Sequence, residues 1–199
     1  MNDPTPEDAL RDIALRLQAM GVRFALVGGL AVSIRGEARF TRDVDLALIA
    51  DTDADAERIV FSLRDAGYTA IALVEHRDRP RLATARLASP SDIIVDLIVA
   101  TCGIEREVVE RAAPMRLEDV GEIPVARAEE LLAMKVLSMN ERRRQDLTDA
   151  VNLVLCNRNL DLTAVRENIA RIIERGFHRS EDLFAKLDTV LSEAHADET

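Results

Sequence analysis

The apolar run Phe24 to Val27 stops at Gly28 and Gly29, and Asp43-Val44-Asp45-Leu46 follows shortly after. A short apolar run ended by paired glycines reads as a buried strand that turns at once into another element. Leu30 to Ile34 has helical character and closes at Gly36, and Val44 to Ile49 reads as a second strand. Strand residues i and i+2 point to one side, about 7 Å apart. Asp43 and Asp45 therefore share a face, while Val44, Leu46 and Leu48 form the opposite, apolar one. At an effective dielectric of roughly 20 two such carboxylates repel by about 2 kcal/mol. The arrangement is tolerated in open water, as the wet face of an edge strand, or with a cation between the acids. Mg²⁺ prefers oxygen ligands, and two metals about 4 Å apart are bridged by carboxylates of this kind.

A third acid stands in DIIVDLIVA, where Asp96 interrupts the otherwise apolar run Ile93 to Val99. An unpaired carboxylate is costly to bury, so Asp96 must be paired or metal-bound. Asp92 shares its face but follows Ser89, Pro90 and Ser91, where a turn role suffices. Gly28 and Gly29 either close a strand–helix turn or, at a helix N-terminus, offer backbone N–H groups to a triphosphate.

Elsewhere the chain is read more coarsely. Thr5 before Pro6 and Asp8 marks a helix start, Leu10, Ile13, Leu17 and Met20 recur at helical spacing, and Gly21 ends the pattern. Asp55 to Ala66 fits an amphipathic helix closed by Gly67. Tyr68 to Val74 and Arg81 to Leu87 read as strands flanking a charged loop. A helical segment after Gly103, a turn at Pro114 and a brief strand at Ile123 to Ala126 follow. From Ala128 the pattern is helical, with breaks near Asn140, Asn157 to Asn159 and Gly176. The expectation is a mixed α/β core over residues 1–126 and a helical region over 127–199.

Composition removes several classes of function. Net charge is -10 over 199 residues, which disfavours a general DNA or RNA coat. Arginines nonetheless cluster at Arg35, Arg39 and Arg42, at Arg77, Arg79 and Arg81, and at Arg142, Arg143 and Arg144, as solvated faces or local basic patches. Aromatic content of 3% with no Trp leaves little for base-stacking platforms. Cys102 and Cys156 match no metal-ligand spacing, no apolar run reaches the roughly 20 residues of a membrane span, and MNDPTPEDAL lacks the form of a signal peptide. A cytoplasmic setting without membrane association is expected.

The ordered set of Gly28, Gly29, Asp43, Asp45 and Asp96 resembles the nucleotidyltransferases of the polymerase-beta-like superfamily. The wording GGLAVSIRG followed by ARFTRDVDL is similar to the AbiEii-type branch, which includes toxins of bacterial toxin–antitoxin pairs. Ala31, Ser33, Arg39 and Thr41 occupy that branch's further motif places. Lys135 in EELLAMKVLSM and Asp146 in RRRQDLTDAVNL match its C-terminal lysine and acid, with Gln145 where relatives often carry Lys or Arg. Read from the residues, Lys135 rises from a helical face with Leu131, Leu132 and Met139, and either snorkels to solvent or meets an anion. Asp146 and Asp149 flank the apolar stripe of Leu147, Ala150, Val151 and Val154, and Asp149 reads equally as a helix-surface charge.

The resemblance implies a nucleotidyltransferase-fold mixed sheet flanked by helices and followed by a helical bundle. It also implies transfer of a nucleotidyl group from an NTP to a hydroxyl of tRNA, a protein or a small molecule. Asp43 and Asp45 would bind two Mg²⁺ ions, and Asp96 would complete the metal site and help deprotonate the acceptor. Gly28, Gly29, Ser33, Arg39 and Thr41 would bind the nucleotide and Lys135 would neutralise departing pyrophosphate. Asp146 would orient Lys135 or contact the nucleotide. A cognate antitoxin is the expected protein partner. The competing expectation is a non-catalytic nucleotide-binding regulator or partner protein that keeps the fold.

Overall fold

A computed structural model describes residues 3–76, 81–140 and 143–197, so Arg77, Arg79 and Arg142 of the arginine clusters lie outside the described residues. The chain divides into two compact units. One comprises Met1–Leu30, Phe40–Thr101 and Glu105–Ala126; the other comprises Ala31–Arg39, Cys102–Ile104 and Arg127–Thr199.

The first unit is a seven-stranded mixed sheet with helices against it. Its strands are β1 (Phe24–Val27), β2 (Val44–Leu48), β3 (Thr69–Glu75), β4 (Leu82–Ala88), β5 (Ile94–Ile98), β6 (Ala113–Leu117) and β7 (Gly121–Val125). Their spatial order is β3-β4-β5-β2-β1-β7-β6. β1 runs antiparallel to β2, β2 runs parallel to β5, and β5 is antiparallel to β4. The middle strands are buried on both faces, as their near-continuous apolar runs require: Val44, Leu46 and Ala47 of β2 and Val95 of β5 are fully covered.

Helix α1 (Pro6–Ala19) begins as its sequence demands. The Thr5 hydroxyl accepts from the Asp8 N–H and the Asp8 carboxylate accepts from the Thr5 N–H, with Pro6 at the first position. Leu10, Ile13 and Leu17 form its buried stripe, whereas Met20 is partly exposed beyond the last turn. Helix α3 spans Asp53–Asp65 and starts earlier than the apolar periodicity indicates, because Thr52 and Asp55 make the same reciprocal cap. α1 packs on β2, α3 on β3 and β4, and α4 (Glu105–Arg111) on β1 and β2. Pro114 lies within β6 rather than in a turn. β6 is an outer strand of the sheet, where a residue without an N–H leaves no ladder bond unmade.

The second unit is helical. α5 (Ala128–Ser138), α6 (Arg144–Cys156), α7 (Leu162–Glu174) and α8 (Leu183–Asp197) are interrupted at the places marked by Asn140, Asn157 to Asn159 and Gly176. Their shared core includes Leu132, Val136, Leu153, Ile169, Leu187 and Val190, all excluded from solvent. Helix α2 (Gly28–Arg35) starts in the first unit and ends in the second. Among the described residues no helix is long and apolar enough to cross a membrane.

Candidate active site

The sheet register brings the acids of the first unit together. Asp45 is the partner of Asp96 across the parallel pair β2–β5, and Asp96 is the partner of Arg86 across the antiparallel pair β5–β4. Register partners project to the same face, at a strand spacing of about 4.8 Å. Asp45, Asp96 and Arg86 thus form one lateral row over three neighbouring strands. Asp43 stands immediately before β2 and, like Asp45, is half-buried.

On the other side of Asp45 the row meets the turn from β1 into α2. Gly28 opens α2 with a φ of +64°, and a Cβ there would lie 1.9 Å from Asp45 Oδ2. Both facts demand glycine, since the conformation is left-handed and the space belongs to the aspartate. Gly29, next in the helix, is buried.

Asp96 is buried, and its charge is met by a side chain that sequence reading did not single out. Arg86 Nε donates to Oδ1 at 2.9 Å and Nη2 to Oδ2 at 2.6 Å. This two-point fork satisfies both carboxylate oxygens and is the strong form of an arginine–carboxylate pair. The Asp96 hydrogen bond and charge, with smaller contributions from Asp43 and Asp45, hold the Arg86 guanidinium above its ordinary range against the opposing effect of burial. The available signal was compositional: Arg86 interrupts the apolar strand LATARLA just as Asp96 interrupts IVDLI.

The second unit contains its own ionic cluster. Lys135 Nζ lies 2.8 Å from Asp146 Oδ1 and 2.8 Å from Asp149 Oδ2. Arg39 donates to Asp149 from Nε at 2.7 Å and from Nη2 at 2.8 Å, and Gln145 Nε2 adds a third donor at 2.9 Å. Asp149 is therefore no helix-surface charge: its side chain is 0% exposed. Burial pushes its carboxyl up, but the bonds from Arg39, Lys135 and Gln145 outweigh this and leave it below the ordinary carboxylate value. Lys135 meets anions instead of snorkelling to solvent. Asp146 Oδ2 is buried without a hydrogen bond, with Arg143 Nη1 3.9 Å away. Ser33 braces the chain before Arg39: its hydroxyl donates to the Arg39 carbonyl at 3.2 Å and accepts from the Arg39 N–H at 3.3 Å. Thr41 is half-buried in the segment leading to Asp43.

The donor chemistry of Asp43 and Asp45, hard oxygens on partly exposed carboxylates, fits a divalent cation such as Mg²⁺. Asp96 presents the same donor type but is held by Arg86. Among the described residues no three Asp, Glu, His or Cys side chains close into a metal-ligating group.

A mixed sheet with helices against it and an Asp-x-Asp strand after a glycine turn is the architecture of nucleotidyltransferase-fold proteins. The chain is similar to the lincosamide antibiotic adenylyltransferase LnuA solved with lincomycin bound. That similarity has a TM-score of 0.51 and 18% identity, and covers 76% of this chain and 98% of that one. It is also similar to an antigenic nucleotidyltransferase-like protein from Paracoccidioides brasiliensis, with a TM-score of 0.49, 16% identity and coverage of 92% and 91%. No curated protein matches the sequence. Residues 8–198 match the family described as Nucleotidyl transferase AbiEii toxin, Type IV TA system, and the chain belongs to that family.

Proposed function

We propose that the chain is a divalent-metal-dependent nucleotidyltransferase that moves a nucleotidyl group from an NTP to an acceptor hydroxyl, with residues 1–126 as its catalytic core. The observation that carries this reading is the lateral row in which Asp45 and Asp96 are register neighbours, with Asp43 two positions before Asp45 and Gly28 against its carboxylate. Such a row concentrates negative charge at one place in the sheet. The arrangement suits a reaction whose catalysis consists of positioning and charge stabilisation.

Asp43 and Asp45 would hold the metal, with Asp96 as the third ligand. A bound divalent cation would neutralise triphosphate charge and make the acceptor hydroxyl easier to deprotonate. Gly28 and Gly29 would present backbone N–H groups to phosphate oxygens at the start of α2. The acceptor oxygen attacks the α-phosphorus, the bond from the α-phosphorus to the bridging oxygen breaks, and pyrophosphate leaves with that electron pair. Asp96, released from Arg86, would take the acceptor proton. Ser33, Arg39, Thr41, Lys135 and Asp146 are assigned to nucleotide handling by family resemblance. Lys135→Met tests the charge-neutralising part of that assignment through a lower turnover number.

The acceptor is a hydroxyl of tRNA, a protein or a small molecule, and the biological setting is a toxin restrained by a cognate antitoxin in the cytoplasm. The family description, a nucleotidyl transferase toxin of a Type IV TA system, supports the toxin setting. Incubation with each α-labelled NTP, Mg²⁺, total RNA and cell lysate tests the acceptor. Label in RNA, in protein or in a small-molecule fraction identifies the acceptor. Absence of label in all three contradicts the reading. The pairing of Asp96 with Arg86 favours one alternative, a nucleotide-binding protein that keeps the fold without transfer. In that case NTP binding would persist in Asp43→Asn while no product formed with the unaltered chain.

A further inference from the structure

The third acid of the proposed metal site already has a cation. Both oxygens of Asp96 are engaged by Arg86, at 2.9 and 2.6 Å. Among the described residues no three acids close on a point. The two partners differ in freedom. Asp96 is fixed on β5, with neighbouring strands on both sides, and its side chain is 11% exposed, whereas that of Arg86 is 47% exposed. A long arginine side chain half in water can move away at little desolvation cost; a carboxylate on an inner strand cannot. Arg86 is also close enough to Asp43 and Asp45 for their charges to act on it.

We propose, resting on the metal-dependent reading above, that Arg86 is a resident cation that competes with a divalent metal for Asp96. With no metal bound, the guanidinium neutralises the buried carboxylate and keeps the sheet intact. The complete three-acid site assembles only when Arg86 lets go of Asp96. Arg86 is on this account a positioning residue, which sets the metal concentration at which the site fills. Its removal strengthens metal binding, whereas removal of a residue that merely supports the site weakens it.

The test is Mn²⁺ binding to the full chain, measured as free Mn²⁺ by electron paramagnetic resonance. Arg86→Gln is expected to bind Mn²⁺ about tenfold more tightly than the unaltered chain, the scale of removing one unit charge beside the ion. Arg86→Lys, which keeps charge but loses the fork, is expected to fall between them. In an Asp96→Asn background the Arg86→Gln effect is expected to shrink, because the competition for Asp96 is gone and only the through-space charge of Arg86 remains. Should Arg86→Gln fail to fold without metal, Arg86→Lys decides the matter by the same comparison. Equal or weaker Mn²⁺ binding by the Arg86 variants overturns the proposal. If the unaltered chain binds Mn²⁺ and loses it with Asp45→Asn, that result leaves the metal-dependent reading standing. If no variant binds Mn²⁺ at all, both fall together.

Discussion

Gly28 carries two constraints at once, a φ of +64° and an Asp45 oxygen 1.9 Å from where a Cβ would sit. Gly21 carries only the first: its φ is +67° and nothing lies within 4 Å. The pair therefore separates backbone strain from site disruption. Gly21→Ala is expected to cost about 1 kcal/mol with nucleotide transfer retained. Gly28→Ala is expected to cost at least ~2 kcal/mol and to abolish transfer, because Asp45 must move. Urea denaturation together with the transfer assay checks both. At this scale the glycines and the three aspartates were legible, since each breaks a local pattern. The partners of Asp96 and Asp149 were not. A lone buried acid announces that it needs a cation but does not say which, and Arg86 and Arg39 are chosen by strand register and tertiary packing.

Helix starts are set by reciprocal caps, which apolar periodicity alone does not locate. Thr52 accepts from the Asp55 N–H while Asp55 accepts from Thr52, so α3 begins at Asp53 although its apolar stripe starts later. Thr52→Ala is expected to lower stability by about 1 kcal/mol, read as a shift in the denaturation midpoint, with Mn²⁺ affinity unchanged. Pro114 shows the opposite case. Proline is a turn signal by its chemistry, but on an outer strand the missing N–H has no ladder partner to disappoint. Strand order is a tertiary property, so no local pattern tells this proline from a turn proline.

Across the whole molecule, net charge of -10 coexists with acids that are locally paired. Asp149 is the clearest instance. Its folded carboxyl titrates below the ordinary value of 3.8, so the stability it contributes is present above that pH and is lost as pH falls through the depressed folded value. Asp149→Asn, which leaves Arg39 and Lys135 short of a counter-charge, is expected to cost about 3 kcal/mol at pH 7. The gap between the two proteins is expected to narrow only below about pH 4, as urea denaturation over a pH series would record. A gap that closed near pH 6 would contradict the pairing.

The change from mixed α/β to helical elements after Ala128 was visible in the sequence, whereas the grouping of Ala31–Arg39 and Cys102–Ile104 with the helical unit was not. The ionic cluster inside the helical part was not, because its members come from Arg39, α5 and α6. On the proposed function, the row containing Asp45 performs nucleotide transfer. Its most direct test is the initial rate of label transfer from an α-labelled NTP, in Mg²⁺, by the unaltered chain and by Asp45→Asn. Transfer by the first and a loss of about 10³-fold or more in the second are expected. Equal rates in the two proteins would contradict it.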